Sequence, residues 1–141
     1  MSREYAIFVF EDSREDIFLI REALLHAAIK HQLTILEDVR TLGHLLDTAT
    51  APPDLFLIDL NLPKQDGFEV LSAIREDSRC KLTPVILMSS SNSPKVRKRA
   101  GEFGVRCYFC KPIDLDEFMK LGGMVREAFV SRNHANLGLA P

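Results

Sequence analysis

Nothing constrains this chain more than Leu55-Phe56-Leu57-Ile58-Asp59, an unbroken apolar run that ends in an aspartate. An apolar run without alternation marks a strand covered on both faces, the condition of strands in parallel sheets flanked by helices. Leu62-Pro63 follows closely and cannot extend a strand, so Asp59 is predicted to stand at the strand's carboxyl end. In open α/β sheets the chemistry lies outside the carboxyl ends of the strands, which makes Asp59 a candidate working group.

Tyr5 to Phe10 is a second run of this type and also ends in acid, at Glu11-Asp12. Ser13 with Asp16 three residues on resembles a capping box, and Ile17, Ile20, Leu24 and Ala27 continue as an amphipathic helix ending near Ile29 or Lys30. Leu33 to Leu36 is shorter and more polar, as an edge strand is. Leu42, Leu45 and Leu46 mark a short second helix that Ala51-Pro52-Pro53 stops. After Asp59, a loop from Asn61 to Gln65 leads to Asp66, the expected cap of a helix carrying Phe68, Leu71 and Ile74. Pro84 to Met88 is the fourth strand and runs into Ser89-Ser90-Ser91. Ser93-Pro94 opens a helix that Gly101 to Gly104 closes. Val105 to Cys110 is the fifth strand and ends in Lys111-Pro112. Asp114 caps a last helix with Leu115, Phe118, Val125 and Phe129, weakened in its middle by Gly122-Gly123 at ~1 kcal/mol per glycine. No stable structure is expected from Asn133 to Pro141. Five strands alternating with five helices give an α/β, doubly wound parallel sheet with right-handed crossovers.

A chain of 141 residues has room for one such core. Its net charge of −2 points to neither a nucleic-acid nor a membrane partner. The apolar runs have the length of strands, and no leader pattern precedes them, so a cytoplasmic location is the default expectation. Cys80, Cys107 and Cys110 are odd in number and read as reduced thiols. Cys107 and Cys110 have C-x-x-C spacing, yet in a strand residues three apart point to opposite faces, and a core role is favoured. His26, His31, His44 and His134 lack metal-ligand spacing.

Four strand ends therefore carry polar groups: Glu11-Asp12, Asp59, Ser89 and Lys111. On one rim they form a site of three carboxylates, a hydroxyl and an ammonium. Carboxylates that close repel one another unless a cation joins them, and Mg2+ suits such a set because it takes oxygen ligands and completes its shell with water and phosphate. A carboxylate can itself attack phosphorus, with the metal, Lys111 and a serine hydroxyl neutralising the phosphoryl oxygens. Asp59 is the best nucleophile, and Glu11 and Asp12 are the better metal cradle. Singly, each residue has a bland reading: a helix-start acid pair, a cap, a surface charge. At four strand ends together the bland reading is disfavoured. For Lys95, Arg97, Lys98 and Arg99 it is favoured: they read as a solvated helix face, with docking of an acidic partner as the alternative.

The chain at this point resembles the receiver domain of two-component response regulators. The resemblance rests on Glu11-Asp12, on Asp59-Leu60-Asn61-Leu62-Pro63 with Asp66-Gly67, on Ser89, on Tyr108 and on Lys111-Pro112, and it covers Tyr5 to Ser131. It implies a flavodoxin-like (βα)5 fold with strand order 2-1-3-4-5 and a receiver domain over residues 1–132. Residues 133–141 are then a flexible tail, with no output domain. It further implies a phosphorelay role in which Asp59 accepts a phosphoryl group from a histidine kinase. Asp12, Asp59 and the backbone carbonyl of Asn61 would hold Mg2+, with Glu11 acting through water. Ser89 and Lys111 would bind phosphoryl oxygens, and Tyr108 would be the ring that turns inward when Ser89 moves. The Lys111–Pro112 bond resembles the family's cis peptide. Two departures stand out: serine replaces the commoner threonine at Ser89, and Ser90 stands where a very small residue is usual.

The helix-one opening, Glu11 to Asp16 followed by Phe18 to Leu24, is similar to single-domain regulators that partner bacterial phytochromes. The resemblance leaves the downstream protein unidentified and monomer against homodimer open. Output through protein contacts is expected on the face of the fourth helix, fifth strand and fifth helix. The only catalysis expected is the protein's own phosphorylation and dephosphorylation. Two rivals remain. One is a phosphorylation-independent interaction module. The other, less favoured, is an aspartyl-phosphate phosphohydrolase, which would need a second acid where this chain has Asn61.

Overall fold

The computed structural model describes residues 3–105 and 107–136. Five parallel strands form one sheet: β1 (Tyr5–Phe10), β2 (His31–Leu36), β3 (Leu55–Asp59), β4 (Val85–Ser89) and β5 (Cys107–Cys110). Their order is β2-β1-β3-β4-β5, as the resemblance implied. The helices between them are α1 (Arg14–His26), α2 (Val39–Thr48), α3 (Gly67–Glu76) and α4 (Pro94–Glu102), with a 3-10 turn at Ser78–Cys80. The expected last helix is two pieces, α5 (Leu115–Phe118) and α6 (Lys120–Asn136). The backbone is thus helical from 133 to 136, where a tail was expected. Arg106, assigned to the fifth strand, and residues 137–141 of the tail lie outside the described residues.

Every residue of β3 and β4 is buried, which is why neither sequence alternates. Alternate residues of the strands face two separate cores. Ile7, Val9, Leu57, Met88 and Phe109 pack under α1 and α6 through Ile20, Leu24, Leu121 and Val125. Phe10, Phe56, Ile58 and Leu87 pack under α2, α3 and α4 through Leu42, Leu46, Leu71, Ile74 and Ala100. Cys107 packs against the first of these cores and Tyr108 against the second, so the C-x-x-C spacing spans the two faces of β5.

Local chemistry fixes the helix ends. The side chains of Ser13, Asp38, Asp66 and Asp114 accept backbone N–H bonds at the starts of α1, α2, α3 and α5. At the end of α1, Ile29 N–H donates to Leu24 C=O and Ala28 N–H to Leu25 C=O, with Ala28 in the left-handed region at φ 57°. That is a Schellman closure without its usual glycine. It ends α1 at His26, short of the predicted end near Ile29 or Lys30. Gly122, read from sequence as a weak point, lets α6 approach α1: a Cβ there would lie 2.5 Å from Ala23 O and 2.7 Å from Ala27 Cβ.

Candidate functional site

Strand register brings the polar strand ends together. Phe10 pairs with Ile58 and Asp59 with Met88, so the residue after β1, Glu11, stands beside Asp59 at the carboxyl rim. This rim includes the point between β1 and β3 where the strand order reverses, the place where open α/β sheets form a crevice. Lys111 N–H donates to Ser89 C=O at 2.7 Å and continues the β4–β5 ladder one residue past β5. That bond directs the lysine toward the rim. The peptide bonds among the described residues are all trans, Lys111–Pro112 included, so the cis bond that the resemblance implied is absent.

The Lys111 ammonium lies at the centre of the site. It donates to Glu11 Oε2 at 2.8 Å, Asp16 Oδ2 at 2.7 Å and Asp59 Oδ2 at 2.9 Å. Oxygens of these three carboxylates lie within 4.8 Å of one another. Glu11 is 1% and Asp59 5% exposed while Lys111 and Asp16 are half-buried, so the cluster is a partly buried charge group rather than a surface ion pair. Asp59 is further held by the Asn61 N–H, which donates to its Oδ1 at 2.9 Å. Gly67 is required beside it, since a Cβ there would lie 2.6 Å from Leu60 Cα and 2.7 Å from Asp59 O.

Electrostatics follows from burial. Desolvation pushes the Glu11 carboxyl up to about 7, against the pull of Lys111. Burial alone would lower Lys111, but its bonds to Asp16, Asp59 and Glu11 outweigh that and raise it above the ordinary lysine value. The ammonium is therefore a fixed positive charge across the neutral pH range. Three carboxylates gathered around one ammonium leave negative charge over, and oxygen donors of this kind suit a hard divalent cation, with Asp16 engaged by Lys111.

Of the residues singled out in the sequence, Glu11, Asp59 and Lys111 are in direct contact. Asp12 is exposed at the end of β1, outside this cluster. Ser89 is buried, and its Oγ accepts from Ser91 N–H at 3.0 Å. Tyr108 OH donates to Ser91 C=O at 2.8 Å, so the Ser91 backbone bonds both residues. Ser90 is exposed. Lys95, Arg97, Lys98 and Arg99 are all exposed on α4, with the Arg97 guanidinium 4.8 Å from the Tyr108 ring centre and that of Arg99 4.1 Å from the Phe68 ring centre. A cleft of about 640 Å3 opens between the loop after β3 and α4, walled by Asn61, Pro63, Gln65, Ser89, Ser91 and Arg99. Asp59 itself is outside that wall.

Asp16 is the member of the cluster that sequence reading missed. In a full capping box its carboxylate would accept the Ser13 N–H. Here Glu11 Oε1 takes that N–H at 3.1 Å, while Ser13 Oγ accepts from Asp16 N–H at 3.2 Å. The Asp16 side chain is left free to reach Lys111. An acid in the first helical turn after an acidic strand end was the available signal.

A parallel sheet in this order, with a buried aspartate and a half-buried lysine paired at its carboxyl rim, defines a class of phosphate-handling signalling domains. The chain belongs to the response regulator receiver domain family, whose sequence profile matches residues 7–121. It is similar to response regulator Rcp1 of Synechocystis sp. (strain ATCC 27184 / PCC 6803 / Kazusa), at 35% identity over 120 residues, covering 82% of each chain. Among solved structures it resembles the phosphorylated cyanobacterial phytochrome response regulator RcpA, with TM-score 0.77 and 32% identity over 92% of this chain and 96% of that one. The Mn(2+)-bound form of Rcp1 matches with TM-score 0.73 and 33% identity, over 85% of this chain and 91% of that one. Among the described residues no helix is long and apolar enough to cross a membrane.

Proposed function

We propose that this response regulator accepts a phosphoryl group on Asp59 from a histidine kinase, with Mg2+ as cofactor. The observation that carries the reading is the contact of Lys111 with Asp59 and Glu11 in a partly buried cluster at the carboxyl rim. In the transfer, the P–N bond of a phosphohistidine breaks as a bond forms between phosphorus and an Asp59 carboxylate oxygen. The imidazole keeps the electron pair of the broken bond. The Asn61 N–H holds Asp59 Oδ1, which leaves Oδ2, now on Lys111, as the attacking oxygen. Lys111 and the Ser89 hydroxyl then take phosphoryl oxygens, so the step rests on positioning and charge. Asp12, Asp59 and the Asn61 carbonyl would hold the metal, with Glu11 acting through water, and the metal would supply positive charge to the transferring group.

The switch belongs to the same proposal. When Ser89 Oγ turns to a phosphoryl oxygen it releases the Ser91 N–H, and the Ser91 carbonyl carries that change to Tyr108. The altered face of α4, β5 and α5 is read by a downstream protein. A phytochrome-type kinase is the proposed donor, supported by the likeness to Rcp1 and RcpA. A cytoplasmic location is part of the same reading. The hydrolase alternative is disfavoured because Asn61 offers no acid beside Asp59.

Phosphotransfer profiling against the histidine kinases of the source organism tests the donor. Fast, selective labelling by a phytochrome-type kinase is expected. Preference for a kinase of another sensor class would overturn that assignment.

A further inference from the structure

We propose that Asp16 is a positioning residue for Lys111, the counter-ion that keeps the ammonium on the phosphoryl side of the site once a divalent cation has entered. The inference rests on the reading of Asp59 as phosphoacceptor.

An ammonium has three N–H donors, and here all three are used, on Glu11, Asp16 and Asp59. Two of those acceptors, Glu11 and Asp59, belong to the proposed metal set. A divalent cation bound by Asp59 directly and by Glu11 through water would draw their charge from Lys111 and repel its ammonium. Without another anchor, the lysine would lose position on a four-carbon stem with large rotamer freedom. Asp16 supplies that anchor. It projects from α1 rather than from a strand end, its bond to Lys111 is the shortest of the three, and Ser13 fixes its backbone. Because Glu11 occupies the Ser13 N–H, the Asp16 carboxylate has no competing role as the second half of a capping box. Asp16 thus holds one donor of Lys111 while another points to where the phosphoryl oxygens arrive.

The test compares wild type with Asp16→Asn, which keeps shape and removes charge, and with Asp16→Glu, which keeps charge. The first readout is pulse acylation of lysines with and without Mg2+, with Lys111 modification followed by peptide mass spectrometry. With Mg2+ bound, Lys111 should react several-fold faster in D16N than in wild type and near the wild-type rate in D16E; without metal, where Glu11 and Asp59 still hold the lysine, the difference should be small. The second readout is phosphoryl uptake from acetyl phosphate at saturating Mg2+. It should fall about tenfold in D16N, the loss expected from one charge-assisted contact in the transfer step, and recover in D16E. Mg2+ affinity should stay within about threefold, as for a group outside the metal's inner shell. Unchanged Lys111 reactivity and uptake in D16N would overturn the inference. So would a loss of uptake that excess Mg2+ restores, which would make Asp16 a metal ligand. Failure of wild type to take up phosphate at all would instead defeat the phosphoacceptor reading itself.

Discussion

Glu11 and Lys111 are joined at 2.8 Å across 100 positions of sequence, yet the carboxylate is pushed up to about 7. Burial outweighs the ion pair. A carboxyl whose folded value lies above its unfolded one contributes stability below the unfolded value, and loses that contribution as pH rises through the folded one. The metal-free protein should therefore lose part of its stability between about pH 4.5 and about pH 7. Glu11→Gln should flatten this slope and melt higher than wild type at pH 8, with the gap closing at pH 5. Thermal melts at the two pH values check it. The same burial makes Mg2+ compete with a proton, so Mg2+ affinity should rise as pH approaches about 7 and then level, as isothermal titration would record.

Neighbouring glycines in α6 should behave in opposite ways. Gly122→Ala drives a Cβ into the Ala23 carbonyl and should destabilise by about 1–3 kcal/mol, the range of an overpacked contact. Gly123 is exposed, and nothing lies within 4 Å of the place an added methyl would take, so Gly123→Ala should stabilise by about 1 kcal/mol through helix propensity. Urea denaturation of the two variants separates them by sign.

Ala28 holds a left-handed conformation that favours glycine. Ala28→Gly should raise the denaturation midpoint. About 1–2 kcal/mol of steric cost is relieved, offset in part by about 0.4–1 kcal/mol of added freedom in the unfolded chain.

Strand positions and the rim were legible because buried parallel strands leave unmistakable apolar runs, and their first polar residue marks where the sheet meets solvent. Glu11, Asp59, Ser89 and Lys111 were all found that way. Asp16 was not, because a helix-start acid is ambiguous between capping and reaching across space, and only the position of Glu11 decides it. The end of α1 was overrun because Ala27 and Ile29 continue the apolar spacing while Ala28 reverses the backbone. Gly122 looked like a flaw in the helix because sequence does not show the proximity of α1. Helix α6 continues to Asn136 past the point where its apolar face stops.

Asp59 should take a phosphoryl group in this site. Intact-protein mass after incubation with acetyl phosphate and Mg2+ measures it most directly. Wild type should gain one phosphoryl group, reversed by hydroxylamine as an acyl phosphate is, and Asp59→Asn should gain none. Equal uptake by Asp59→Asn, or no uptake by wild type from acetyl phosphate and from every histidine kinase of the source organism, would contradict it.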